Sequence, residues 1–145
     1  MIVIASDHAG VDLKARIVEL FGEAGHDVRD LGPEDTTSVD YPDFAHAVAE
    51  AVAANEAEWG ILICGTGIGM SLAANRHSQV RAALCHDAFT AEMARRHNDA
   101  NVLCIGARST GPGVAEQMVR IFLETAFEGG RHQRRVDLIE FDRGD

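Results

Sequence analysis

Cys64 stands at the end of the apolar run Ile61-Leu62-Ile63, and glycines follow it at positions 65, 67 and 69. A thiol next to a backbone without side chains at alternate positions pairs a base or nucleophile with N–H groups that can approach an anion closely. A helix-like segment over residues 71–75 adds a dipole that favours negative charge at the turn, and with it the thiolate. Two familiar uses of such a turn fail at one residue. The dinucleotide fingerprint needs its third glycine at position 70, and a cysteine phosphatase needs a phosphate-clamping arginine six places after the thiol. Both positions are Met70.

Proton transfer beside a carbonyl needs a base, donors for an enediolate oxygen, an acid/base to open a cyclic sugar and a cationic site for a charged end. Cys64 can be the base, and the N–H groups of Gly65, Gly67, Ile68 and Gly69 can form the anion hole. His97 or His8 can handle ring-opening protons, and Arg108, Arg131 and Arg135 can bind phosphate. Each also has a plainer reading. His8 and His97 can be loop or cap residues, Asp7 can cap a helix, Thr66 can bond its own turn, and Tyr41 can belong to the core. The run Arg131-His132-Gln133-Arg134-Arg135 can be a solvated helix face, yet Arg131 and Arg135 are four apart and can hold one anion together. The seven histidines show no H-E-x-x-H motif or paired Cys/His spacing, so no metal site is expected.

The elements that must position these residues alternate regularly. Strands are predicted at 2–6, 27–31, 60–64, 80–85 and 101–105, from short β-branched or apolar runs. Helices are predicted at 13–24, 44–54, 88–96 and 114–127, with Phe89, Met93, Val119, Phe122, Leu123 and Ala126 facing inward. The loop 32–40 ends at Asp40-Tyr41-Pro42, and Gly106 to Gly113 forms the loop that carries Arg108. This alternation predicts a single-domain α/β fold, a three-layer αβα sandwich on a five-stranded parallel, Rossmann-like sheet.

A chain of 145 residues with 46% hydrophobic and 25% charged residues fits one soluble globular domain. Its formal net charge of -10 argues against a nucleic-acid or membrane partner, both of which need a basic surface. The absence of a basic leader or a long apolar span makes the cytoplasm the expected location. Cys85 and Cys104 read as reduced core residues.

Five motifs in order, Ser6-Asp7-His8-Ala9-Gly10, Asp40-Tyr41-Pro42, Cys64-Gly65-Thr66-Gly67-Ile68-Gly69, Arg96-His97-Asn98-Asp99-Ala100-Asn101 and Glu128-Gly129-Gly130-Arg131-His132-Gln133-Arg134-Arg135-Val136, resemble ribose-5-phosphate isomerase type B. The wider family includes allose-6-phosphate and galactose-6-phosphate isomerases. The resemblance covers the chain to about Val136 and leaves out the tail from Asp137 to Asp145. It implies Cys64 as catalytic base beside Thr66, residues 65–69 as the enediolate hole, and His97 as the ring-opening residue. It further implies Asn98 and Tyr41 as sugar contacts, Asp7 and His8 as pocket residues, and Arg108, Arg131 and Arg135 as phosphate ligands. A branch of the family replaces the cysteine by a glutamate at the position of Met70, so this chain resembles the cysteine branch. The family uses no metal or organic cofactor. Its members are homodimers, in some cases tetramers, with shared sites, which implies that the segment 128–145 reaches the partner subunit. The implied reaction interconverts ribose 5-phosphate and ribulose 5-phosphate. Another sugar phosphate, or a non-catalytic sugar-phosphate sensor, are the alternatives.

Overall fold

The structure, a computed structural model, describes residues 1–141; the last four tail positions, 142–145, lie outside the described residues. Strands β1 (Ile2–Ser6), β2 (Val28–Asp30), β3 (Trp59–Cys64), β4 (Ala82–Leu84) and β5 (Val102–Gly106) form one parallel sheet in the order β2-β1-β3-β5-β4. Six helices flank it: α1 (Val11–Glu23), α2 (Tyr41–Ala53), α3 (Ile68–Ala74), α4 (Ala88–Asn98), α5 (Pro112–Glu124) and α6 (Arg131–Asp137), with a 3-10 turn at His8–Gly10. The three-layer αβα sandwich predicted from the alternation is the one observed.

Right-handed crossovers dictate the layers. From β1 the chain steps outward to β2, then returns across β1 to β3, so α1 and α2 fall on opposite faces. One face packs Ile17 and Phe21 of α1, Ala91 and Ala94 of α4 and Met118, Val119 and Phe122 of α5 on Ile4, Ile61, Ile63, Leu103 and Ile105. The other packs Val48 and Val52 of α2 and Met70 and Ala74 of α3 on Val3, Leu62, Cys64, Val102 and Cys104. Because the chain leaves β3 toward one face, into α3, and leaves its neighbours β1 and β5 toward the other, into α1 and α5, a crevice opens at the carboxyl ends of the central strands, where open α/β sheets bind ligands.

Several boundaries move for physical reasons. Pro42 sits in the first turn of α2, which starts at Tyr41 rather than near Phe44. The turn glycine Gly67 is itself the N-cap of α3, so that helix starts at Ile68 instead of Ser71. Asp99, in the left-handed conformation, ends α4, which leaves His97 and Asn98 inside its last turn. Phe89, expected inward, is 68% exposed. A capping box of Asp87 and Thr90 sets the phase of α4 so that Ala91, Ala94 and Arg95 face the core instead. Ala126, also expected inward, is exposed, because the chain leaves α5 at Thr125 with extended backbone. Leu123 is only partly buried. Arg95 stays buried with its guanidinium 4.3 Å from the Trp59 ring centre and bonds to Asp99 and to the carbonyls of Ala100 and Thr125.

One buried lysine holds the loop that leads into α2. Lys14 Nζ donates to both carboxylate oxygens of Asp30, at 2.7 and 2.8 Å, and to the Pro33 carbonyl at 2.7 Å. All three ammonium protons are thereby used, which is what a buried lysine requires. Lys14→Met is expected to lower unfolding free energy by about 1–3 kcal/mol, since Asp30 stays partly hydrated when its partner is lost. Urea denaturation checks this, and a change within about 0.5 kcal/mol would contradict it.

Candidate active site

Cys64 ends β3, pairs with Gly106 of β5 and is 5% exposed. The N–H of Gly67 donates to its Sγ at 3.1 Å, which directs the sulfur into the turn and brings a partial positive charge to it. Gly67 has φ +78, and a Cβ there would lie 2.6 Å from Leu84 Cδ1, so both conformation and space demand glycine. Gly69 has a different cause. A Cβ on it would lie 2.5 Å from the Tyr41 ring, which covers the turn closely and is 40% exposed. Tyr41 is therefore a wall of the crevice and not a core residue.

The expected anion hole is only partly open. Gly67 N–H is spent on the sulfur, and Ile68 N–H donates to Thr66 Oγ1 at 3.3 Å, so Thr66 does bond its own turn. The first helical bond of α3 runs from Ser71 N–H to the Gly67 carbonyl. Gly69 and Met70, in the first turn, therefore have N–H groups without an intrahelical acceptor.

The loop after β5 is tied to the turn. Ala107 N–H donates to the Cys64 carbonyl at 2.8 Å and Arg108 N–H to the Gly65 carbonyl at 3.0 Å. Arg108 Nη1 lies 3.1 Å from where a Gly65 Cβ would stand, so its exposed guanidinium borders the turn. From β1, Asp7 Oδ1 accepts from Ala9 N–H at 2.9 Å in the capping role, while Asp7 N–H donates to the Ile63 carbonyl. His8 Nδ1 accepts from Val39 N–H at 3.2 Å. A neutral His8 consequently carries its proton on Nε2.

The second group of expected residues lies elsewhere. α4 runs antiparallel to the strands and delivers His97 and Asn98 ahead of β5, at the amino end of the sheet. Cys64 is at the carboxyl end, level with Gly106. Four residue steps along β5 span roughly 13 Å, and Cys64 points to the α2/α3 face whereas α4 packs on the other. Arg131 and Arg135 are exposed on α6, which packs on α4. Within one chain, then, Asp7, His8, Tyr41, Arg108 and the Cys64 turn come together, and His97, Asn98, Arg131 and Arg135 form a separate cluster.

That second cluster surrounds a recess of about 320 Å³ lined by His97, Asn98, His132, Arg135, Val136 and Ile139. A larger one, about 760 Å³, adjoins it at Asn98 and Ile139 and extends past Arg76, His77 and Arg81. Neither contains Cys64. His132 stacks on His97 with ring centres 4.3 Å apart at 12°, and His97 Nε2 lies 3.7 Å from Glu128 Oε1. Burial lowers the pKa of His132, and His97 and Arg131 push it the same way. Ligand atoms of His97, Glu128 and His132 all lie within 4.8 Å of one another, the one grouping among the described residues that could hold a metal ion. Sequence spacing did carry that signal, because Glu128 and His132 are four apart, but H-E-x-x-H and Cys/His pairs do not include it.

The other cysteines differ from Cys64 in setting. Burial pushes the Cys85 thiol up to about 11 and raises that of Cys104, which is fully buried. No helix among the described residues is long and apolar enough to cross a membrane.

A family model described as Ribose/Galactose Isomerase matches residues 2–139, three residues further than the motifs alone suggested. Escherichia coli ribose-5-phosphate isomerase B is 45% identical over 138 residues, spanning 95% of this chain and 93% of its own. A Bacillus subtilis protein named only as a sugar phosphate isomerase is 50% identical over 139 residues, 95% of this chain and 93% of its own. The structure of Clostridium thermocellum ribose-5-phosphate isomerase B superimposes with a TM-score of 0.94 at 47% identity, covering 95% of this chain and 93% of that one. The chain therefore belongs to the ribose/galactose isomerase family and is an aldose–ketose isomerase of the sugar phosphate class.

Proposed function

We propose that the chain interconverts ribose 5-phosphate and ribulose 5-phosphate in active sites shared between two subunits of a homodimer. The observation that carries this reading is the division of the expected site. The base, the turn and Arg108 gather at one end of the sheet, and His97, Arg131 and Arg135 gather at the other. One chain cannot complete the set, but two chains placed carboxyl end to amino end can. Unpartnered apolar side chains support such a contact: Ile68 and Leu72 on α3 beside the turn, and Leu138, Ile139 and Phe141 after α6, are 51–84% exposed.

In this arrangement the phosphate lies among Arg108, His8 Nε2–H and Arg131 and Arg135 of the second subunit, which provide charge and bidentate donors. His97 of that subunit moves the ring-opening proton between the ring oxygen and the anomeric hydroxyl. The Cys64 thiolate then removes the C2 proton, and the C–H electron pair enters the C1–C2 bond as the carbonyl oxygen becomes an enediolate oxyanion. Gly69 and Met70 N–H groups, left open at the turn, receive that charge. Passage of the O2 hydroxyl proton to O1, with return of the proton from sulfur to C1, gives the ketose, with no net change in electrons or protons.

The names of the Escherichia coli and Clostridium thermocellum relatives favour ribose 5-phosphate. The galactose in the family description and the general name of the Bacillus subtilis relative favour a second reading, the same chemistry on another sugar phosphate. Measuring kcat/KM on ribose 5-phosphate, allose 6-phosphate, galactose 6-phosphate and a tetrulose phosphate tests both. Ribose 5-phosphate is expected to lead by at least about tenfold. A lead for a hexose phosphate reassigns the substrate, and turnover of none of them places the substrate outside this panel.

A further inference from the structure

We propose that His97, Glu128 and His132 form an inhibitory binding site for zinc. Two imidazoles and a carboxylate make the donor set of a zinc centre with an open fourth position, and zinc accepts this mixture readily. The three ligand atoms already lie within 4.8 Å of one another, and the His97 Nε2 to Glu128 Oε1 separation is 3.7 Å. Bonds of about 2.0–2.2 Å in a tetrahedral centre put ligand atoms roughly 3.3–3.5 Å apart, so the separations have to close by no more than about 1.5 Å. The movement falls on His97 and Glu128, whose side chains are 38% and 35% exposed and can turn, whereas His132 is held at 8%. The nearly parallel rings, at 12°, must splay to aim both nitrogens at one ion.

The surrounding backbone is set for this. Glu128 N–H donates to the Arg96 carbonyl at 3.1 Å, which holds its backbone beside the last turn of α4. His132 N–H donates to the Gly129 carbonyl at 3.0 Å, and Glu128 and His132, four apart, meet across the start of α6. The adjoining recess of about 320 Å³ leaves room for a water on the fourth position. Arg96 Nη2 lies 3.4 Å from Glu128 Oε1, and Arg131 and Arg135 are close enough to act on His132, so the ion meets positive charge. That opposition weakens the site, which suits a reversible brake and not a resident cofactor. Zinc on Nε2 of His97 removes the lone pair that the ring-opening step uses. This inhibitory consequence rests on the proposed function, and the binding does not.

Zinc titration of the full-length protein against a chromophoric chelator at neutral pH tests the site without any assay of turnover. One zinc per chain at micromolar affinity is expected, weakened at least about tenfold in both Glu128→Gln and His132→Gln and retained in Cys64→Ser. Glu128 is exposed enough for its variant to fold. Unchanged affinity in Glu128→Gln and His132→Gln, loss of binding in Cys64→Ser alone, or no binding at micromolar zinc would each overturn the proposal. Wild-type turnover should fall with added zinc and recover with chelator, and Glu128→Gln should resist. Zinc that binds as described without inhibiting upholds the site and instead removes His97 from the reaction.

Discussion

Cys64→Ala is expected to reduce kcat by about 10³-fold, the usual scale for removing a general base, with little change in the affinity for a phosphate-bearing competitive ligand. The base and the phosphate ligands are separate residues, so chemistry and binding should part company. Sγ is held by the Gly67 N–H at 3.1 Å and sits at 5% exposure, so the alanine variant loses one small buried group and keeps the turn. Alkylation gives an independent reading. Iodoacetamide at pH 8 should label Cys64 first and inactivate in proportion, because Cys85 is 1% exposed with its thiol pushed up to about 11 and Cys104 is fully buried. Near-normal turnover in Cys64→Ala, or inactivation tracking another cysteine, would end the assignment of the base.

The second large effect is a gain. Cys64→Ala and His97→Ala are each expected to be close to inactive, yet mixing them in equal amounts and allowing subunits to exchange should restore about a quarter of wild-type activity. Random pairing makes half the dimers mixed, and each mixed dimer holds one intact site and one doubly defective site. The prediction follows from the sheet lying between Cys64 and His97 in one chain. If exchange is verified by mass-tagged subunits and activity stays at background, the shared site is wrong. A His97→Ala variant that works alone would show that His97 takes no part.

Much of the fold was legible because each element announces itself locally. Ile2–Ser6, Trp59–Cys64 and Val102–Gly106 are continuous apolar runs of strand length, and Pro42, Gly67 and Asp99 mark helix ends by known backbone preferences. Phe89 was not legible, since its exposure follows from the phase that the Asp87–Thr90 capping box imposes on α4 and from small alanines meeting α5. The burial of Lys14 was not legible for a similar reason. Its partners, Asp30 and Pro33, are 16 and 19 residues away.

The site divides along the same line. Sequence by itself determined the parts: a thiol on a glycine turn, an Asp-His pair after the first strand, a histidine at a helix end and arginines four apart. It also determined, through strand-helix alternation, that residues just ahead of a parallel strand lie at its amino end, which already separates His97 from Cys64. Tertiary structure alone decided which parts meet. Inserting β5 between β3 and β4 sets Arg108 against Gly65, and packing α6 on α4 stacks His132 on His97 beside Glu128. Strand order and helix docking depend on the summed burial of two faces of one sheet, and that sum belongs to no local stretch of chain.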